Sequence, residues 1–108
     1  MSKVYQPKSN QLPHNLYMFI IYTIKDYSRM KRTYRALDPG ADPDYKHELE
    51  RQIAAIERAL LEVPEDIRTD VLLNITDEQP RRKDIPIRLF KYYKQKLITD
   101  IAANLRLR

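Results

Sequence analysis

The first third of the sequence places apolar or aromatic residues, with one threonine, at alternating steps of four and three positions. The repeat lies between Leu12 and Leu37 and consists of Leu16, Ile20, Thr23, Tyr27, Met30, Tyr34 and Leu37. Heptad spacing of this kind puts the side chains along one seam of a helix, as in a coiled coil. The spacing predicts a helix of about seven turns, with Pro13 in its first turn, where proline is tolerated.

A second repeat follows a strong break in the chain. The break is "DPGADPD", residues 38–44, in which two Asp-Pro pairs flank the only glycine, and these residue types favour turns. The repeat itself consists of Tyr45, Leu49, Ile53, Ile56, Leu60 and Val63. With Asp42 as the cap of this second helix, the two repeats predict a long antiparallel helical hairpin.

Two shorter patterns complete the predicted fold. The segment "VPEDIRTDVLLNI" predicts a short helix that begins at Pro64, and Pro86 begins a final helix that ends near Leu105. A chain with one glycine and no tryptophan is a poor match for a turn-rich all-β fold. We therefore predict a single all-α domain over residues 12–108, in which the hairpin is followed by a short helix and a basic C-terminal helix. Residues 1–11 are predicted to form a flexible N-terminal arm.

Charge is distributed unevenly along the chain. Residues 1–37 carry seven Lys or Arg against one acid, residues 38–80 carry four against twelve, and residues 81–108 carry nine against two. Two interpretations fit this pattern. The basic and acidic segments pack together and neutralise each other, or the two basic segments form one positive face. Only the second interpretation predicts binding to nucleic acid.

The exposed side of the predicted final helix is cationic. Its packing side consists of Ile87, Phe90, Tyr93, Leu97, Ile98, Ile101 and Leu105. Its other side consists of Arg88, Lys91, Tyr92, Gln95, Lys96 and Thr99, and Arg81, Arg82 and Lys83 lead into it. Side chains of these types meet base edges and phosphates in the major groove, so we expect contact with duplex DNA. The alternative is an ordinary solvated face, since Lys and Arg also favour the C-terminal ends of helices.

The order of elements has the outline of a helix-turn-helix, because a short helix precedes the basic one. About nine residues separate the two helices, where three or four are usual.

The start of the first predicted helix is apolar on almost every side. The uncharged run "NLYMFIIYTI", Asn15 to Ile24, has ten residues, whereas a membrane span needs about 20. We therefore expect an intracellular chain without membrane association. A helix that is apolar all round is buried on several sides, which predicts a homodimer. The predicted interface comprises Leu16, Tyr17, Phe19, Ile20, Ile21 and Ile24.

The sequence offers little for catalysis or metal binding. It has no cysteine and a single glycine, which argues against a thiolate metal site and a Gly-rich phosphate loop. His14 and His47 have no ligand spacing to each other or to paired carboxylates. Ser9 and Ser28 lack a His-acid setting. We expect no enzymatic activity, no metal and no cofactor.

Three parts of the sequence carry short motifs on which a family resemblance rests. The motifs are Leu12-Pro13 with Asp26 to Lys31, Ile56 to Leu60 with Val63 to Arg68, and Tyr92 to Leu105. With these motifs the chain resembles the RinA- and ArpU-type late-gene regulators of phages and prophages of Gram-positive bacteria. The resemblance implies a sigma-region-four-like helix-turn-helix that activates phage genes in the bacterial cytoplasm, with host RNA polymerase as a further partner. It also implies DNA contacts by Arg88, Lys91, Tyr92, Lys94, Gln95 and Lys96.

Three functions remain open from the sequence. The first is a dimeric, DNA-binding transcriptional regulator of phage type, which the basic final helix and the apolar first helix favour. The alternative is a phage-encoded protein-binding module that inhibits or adapts a host nucleic-acid enzyme, with the tyrosine-rich apolar segment as its anchor. A DNA-packaging or recombination accessory shares the DNA prediction and differs only in its target.

Overall fold

The computed structural model describes residues 12–107, and the regular structure of this part is entirely helical. The described chain forms five helices, which are α1 (His14–Lys25), α2 (Tyr27–Arg35), α3 (Pro43–Leu60), α4 (Glu65–Asp77) and α5 (Ile87–Asn104). Because no strand occurs among these residues, the all-α prediction is confirmed. The predicted N-terminal arm, residues 1–11, lies outside the described residues. None of the described helices combines the length and the apolar character that a membrane crossing requires.

One residue divides the predicted first helix into α1 and α2. The N–H of Asp26 donates to the carbonyl oxygens of both Tyr22 and Thr23, at 3.0 and 3.2 Å, a shared arrangement that is common at helix ends. The Thr23 hydroxyl also donates to the Phe19 carbonyl at 2.8 Å, and this type of bond bends helices. The heptad spacing predicted one helix here, because it reports which side is buried and not how the backbone is bonded.

The starts of α3 and α4 follow from capping chemistry. Asp42 caps α3 as predicted, with its Oδ1 accepting the N–H of Asp44 at 3.0 Å, and Pro43 occupies the first helical position. Glu65 and Asp66 occupy the first turn of α4, where carboxylates are favoured by the helix dipole.

All five helices contribute apolar side chains to one core. The largest fully buried side chains are Ile20, Ile24, Met30, Ile56, Val63, Val71, Leu97, Ile98 and Ile101. Burial of each such side chain stabilises the fold by about 1.5–3 kcal/mol. The two predicted seams supply four of these nine side chains, and the predicted packing side of the last helix supplies three more. One seam residue is a clear exception. Tyr45, which begins the second seam, remains exposed.

The helices pack in a definite order along the molecule. α1 packs chiefly against α4 and α5, whereas α2 packs against α3, and α3 against α5. The Tyr27 hydroxyl donates to Glu57 at 2.7 Å and the Tyr34 hydroxyl donates to Glu50 at 2.8 Å. Because the later tyrosine of α2 bonds to the earlier glutamate of α3, these two helices run antiparallel.

The C-terminal end of α5 lies beside the middle of α3. The side-chain amide of Asn104 donates to the carbonyl of Ala55 at 3.0 Å. Ten residues earlier in α5, Lys94 bonds to Asn74 of α4 at 2.7 Å. The Arg51 guanidinium also donates to the carbonyl of Leu105 at 3.2 Å. Because the later residue at this end of α5 bonds to the earlier residue of α3, α5 runs antiparallel to α3, and the first turns of α5 lie beyond the C-terminal end of α3.

Candidate nucleic-acid interface

The first turns of α5 are mostly surrounded by solvent. Five of the first six residues of α5 are exposed, and we call this group the α5 tip. It comprises Ile87, Arg88, Leu89, Lys91 and Tyr92. Only Phe90, 6% exposed, enters the core. The predicted packing position of Ile87 is wrong, since 54% of this residue is exposed, because the first turn extends past the neighbouring helices.

The α5 tip is positive and carries no acid. Pro86 precedes the helix without a side-chain cap, and the first turn holds no carboxylate. The positive end of a helix dipole disfavours cations by a few tenths of a kcal/mol to about 1 kcal/mol. Helix stability therefore does not account for the presence of Arg88 at this position.

Three of the nine predicted contact residues combine exposure with an unpaired charge. Within residues 12–107, the side chains of Lys83, Arg88 and Lys91 form no hydrogen bond or ion pair. Tyr92 is exposed beside them in sequence and contacts the ring of Tyr93 edge to face, with 5.0 Å between the ring centroids. These four residues are the ones that a ligand can reach without breaking an internal contact.

Two predicted contact residues hold the loop that leads into α5. The Arg81 guanidinium donates to the carbonyl oxygen of Ile85 and, at 3.1 Å, to that of Arg82. The N–H of Arg82 donates to Asp70 of α4 at 3.0 Å, and its guanidinium pairs with Asp84 at 2.9 Å. The Arg82 guanidinium lowers the pKa of the Asp84 carboxyl by this hydrogen bond. Arg81 and Arg82 are thus engaged within the loop that presents Lys83.

Lys94 joins α5 to the end of α4. Its ammonium donates to Asn74 Oδ1 at 2.7 Å, and Asn74 in turn donates to the carbonyl of Gln79 at 2.8 Å. Burial lowers the pKa of Lys94. The last turn of α4 has no basic residue of its own, so Lys94 supplies the cation that this helix end favours.

The last two predicted contact residues bond along α5. The Lys96 ammonium pairs with Asp100 at 2.9 Å, and Gln95 donates to the Thr99 hydroxyl at 3.3 Å. Both residues are half-buried. The exposed cationic stripe predicted along much of α5 is therefore concentrated in its first turns. Local spacing could not reveal this, because Arg82 and Lys94 bond to Asp70 and Asn74 of another helix.

Ion pairing joins the basic segments to the acidic one at a single place among the described residues. Of the five ion pairs among the described residues, four link residues within one charge segment, and only Lys25–Glu78, at 3.9 Å, links a basic segment to the acidic one. The exposed basic residues of α2 and those of the α5 tip are separate, because α2 lies along α3 whereas the α5 tip lies beyond the end of α3. Helices of the basic segments thus pack on the acidic one, but ion pairs between them do not neutralise the charge, and a shared positive face stays a prediction.

The predicted dimer interface is largely used inside the chain. Ile20 and Ile24 are fully buried in its own core, so their assignment to a partner contact is wrong. α4 and α5 cover the side of α1 that the sequence left without a neighbour. Leu16, Tyr17 and Ile21 are half-buried.

Two aromatic residues of α1 remain exposed. Phe19 is 48% exposed and Tyr22, which was not in the predicted interface, is 61% exposed. Both border an open depression of about 420 Å³ between α1 and α3, which Gln52 also lines.

Comparisons with known proteins give no information about the function of this interface. No protein-family model matches this chain, and searches among curated proteins and solved structures gave no match either. The resemblance to phage late-gene regulators therefore rests on the sequence motifs alone. Among residues 12–107, no three His, Cys, Asp or Glu side chains come together in a group that could hold a metal ion.

Proposed function

We propose that this chain binds duplex DNA through the α5 tip together with Lys83. The observation that carries the proposal is the exposed start of α5, where Arg88 and Lys91 have no internal partner and no acid occurs in the first turn. A basic helix end that lacks carboxylates attracts a polyanion, and one exposed helix turn is narrow enough to enter the major groove.

The residues of the tip have distinct parts in this proposal. Lys83, Arg88 and Lys91 neutralise phosphates and release counterions, which supplies affinity that does not depend on sequence. Arg88 and Tyr92 also carry donors for base edges, and Leu89 offers an apolar contact for a thymine methyl group. Arg81 and Lys94 hold the loop and the helix in place and do not contact DNA.

The resemblance to phage late-gene regulators implies a more specific function, which is part of the same proposal. In it α4 and α5 act as a helix-turn-helix with α5 as the reading helix, in a phage-type transcriptional regulator of the bacterial cytoplasm. Host RNA polymerase is a further partner, and the chain acts as a homodimer. α4 carries Glu65, Asp66, Asp70 and Asp77, so this helix supports α5 and does not itself lie along the phosphates.

The direct test replaces both cations of the tip. Arg88→Glu with Lys91→Glu should abolish binding to a labelled duplex of about 20 base pairs at low salt, because two phosphate contacts become repulsions. The matched control is Lys46→Glu with Arg58→Glu, since both are exposed residues of α3 and the charge change is the same. Both variants should keep the wild-type helicity by circular dichroism. Unchanged DNA affinity in the tip variant would refute the proposal.

One observation favours a protein-binding module as a second candidate. Ile87 and Leu89 are exposed beside Arg88 and Tyr92, and Arg and Tyr are enriched among the residues that dominate protein interfaces. Ile87→Ser with Leu89→Ser should leave the DNA affinity nearly unchanged if phosphates are the target. If a host protein is the target, the same variant should lose a stoichiometric complex that survives nuclease treatment.

A further inference from the structure

We infer that the exposed face of α2 is a second phosphate-contacting surface, and that one duplex extends from it to the α5 tip. The α2 face comprises Ser28, Arg29, Arg32 and Arg35, all of which are exposed. The inference rests on the proposed function, because it assigns a second part of the chain to the same DNA.

The composition of the α2 face suits a nucleic-acid backbone. Residues 28, 29, 32 and 35 share one side of a helix, and the opposite side holds the buried Tyr27 and Met30. No large apolar side chain is exposed in α2, so the face lacks the anchors that protein interfaces use. Arg and Ser are among the side chains that commonly contact phosphate oxygens.

The fold leaves two of the three arginines free. Arg29 is paired with Asp26, with 2.6 Å from its Nε to Oδ1. The guanidinium groups of Arg32 and Arg35 form no ion pair and no hydrogen bond with any residue between 12 and 107, although the charge of Arg35 acts on Tyr27.

The carboxylates of α3 that bond to α2 do not pair with the arginines of this face. Glu50 and Glu57 accept hydrogen bonds from Tyr34 and Tyr27, on the side of α2 that packs against α3. The positive charge of Arg32 and Arg35 is therefore available to an external anion.

The two surfaces are separated by less than one turn of DNA. Tyr34 bonds to Glu50 and Asn104 bonds to Ala55, so the end of α2 and the end of α5 lie at similar levels of α3. Arg88 precedes Asn104 by sixteen residues, which is roughly 24 Å of helix. The α2 face and the α5 tip are thus roughly 25–30 Å apart along an axis of 56 Å.

This separation fits a single duplex lying along the molecule. One turn of B-DNA is about 34 Å long, so phosphates about eight base pairs apart, at 3.4 Å each, match the spacing of the two surfaces. A duplex shorter than that can occupy only one of them.

The test compares salt dependence among three double variants of the full chain. They are Arg32→Gln with Arg35→Gln in the α2 face, Arg88→Gln with Lys91→Gln in the α5 tip, and Lys46→Gln with Arg58→Gln as the charge-matched control. On a duplex of about 20 base pairs, loss of two phosphate contacts should make the slope of log K against log salt shallower by about 1.8. At about 0.1 M salt this corresponds to a loss of affinity of roughly 60-fold. We expect that loss for the first two variants and almost none for the control.

Duplex length supplies the second measurement. On a hairpin stem of about six base pairs, the wild-type slope should fall to that of the α2 variant on the long duplex. A wild-type slope that does not depend on length would overturn the inference. The inference also fails if the α2 variant keeps the wild-type slope while the tip variant loses affinity, and this result leaves the proposed function intact. Absence of wild-type binding even at low salt refutes the proposed function itself.

Discussion

The backbone conformation at the end of α4 predicts that one substitution will raise the free energy of unfolding. Glu78 lies in the left-handed region, with φ 55° and ψ 30°, where a residue with a Cβ loses about 1–2 kcal/mol. Glycine avoids this loss, but its greater freedom in the unfolded chain costs about 0.5–1 kcal/mol. Glu78→Gly is therefore expected to raise the free energy of unfolding by roughly 0.5–1 kcal/mol.

Charge changes at the same position must be separated from the backbone effect. The substitution removes a carboxylate from the negative end of the α4 dipole. It also removes the ion pair with Lys25, but the Glu78 side chain is 85% exposed, and pairs of this kind contribute little. Glu78→Ala is the matched control, because it removes the same carboxylate but keeps a Cβ at the left-handed position.

Thermal denaturation of Glu78→Gly and Glu78→Ala tests whether the left-handed backbone at residue 78 lowers stability. A stability change of 1 kcal/mol shifts the Tm of a domain of this size by about 4–8 °C. The glycine variant should therefore melt several degrees above the alanine variant. Equal Tm values for the two variants would refute the reasoning that the backbone at residue 78 carries a cost.

Two further predictions concern side chains with internal partners. Tyr27→Phe is expected to lower the free energy of unfolding at pH 7 by about 1 kcal/mol in urea denaturation, because its hydrogen bond to Glu57 is lost. Burial and the Glu57 carboxylate raise the pKa of Tyr27, so its contribution is complete below about pH 10 and is lost as pH rises further. The phenylalanine variant should lose less stability over that range, and identical alkaline profiles would contradict this. Lys94→Met should leave the salt slope of DNA binding unchanged, since its ammonium bonds to Asn74, whereas loss of a phosphate contact would change the slope by about 0.9.

The parts of the fold that local spacing controls could be predicted from the sequence. Residues such as Ile56 and Val71 recur at steps that place them on one side of a helix, and both are fully buried. Asp42 was predicted as a cap because a short acidic side chain before a proline suits that position, and it accepts the expected N–H.

The remaining features depend on contacts between distant parts of the chain. An apolar helix such as the one that holds Ile20 and Ile24 is equally consistent with burial by another subunit and with burial by later helices of the same chain. Spacing alone does not distinguish the two cases. In the structure, α4 and α5 of the same chain cover this helix. Likewise, the sequence marks Lys94 as a cation, but only the packing of α5 against α4 brings the side chain of Asn74 to it.

The most direct measurement is the affinity of the wild-type chain for a duplex of about 20 base pairs, measured by fluorescence anisotropy from about 50 mM salt upward. Contacts by Lys83, Arg88 and Lys91 predict a slope of log K against log salt of about −2.7, and added contacts by Arg32 and Arg35 steepen it to about −4.5. A slope in this range is the expected result. Absence of binding at about 50 mM salt, where phosphate contacts are strong, would contradict the assignment of α5 to DNA.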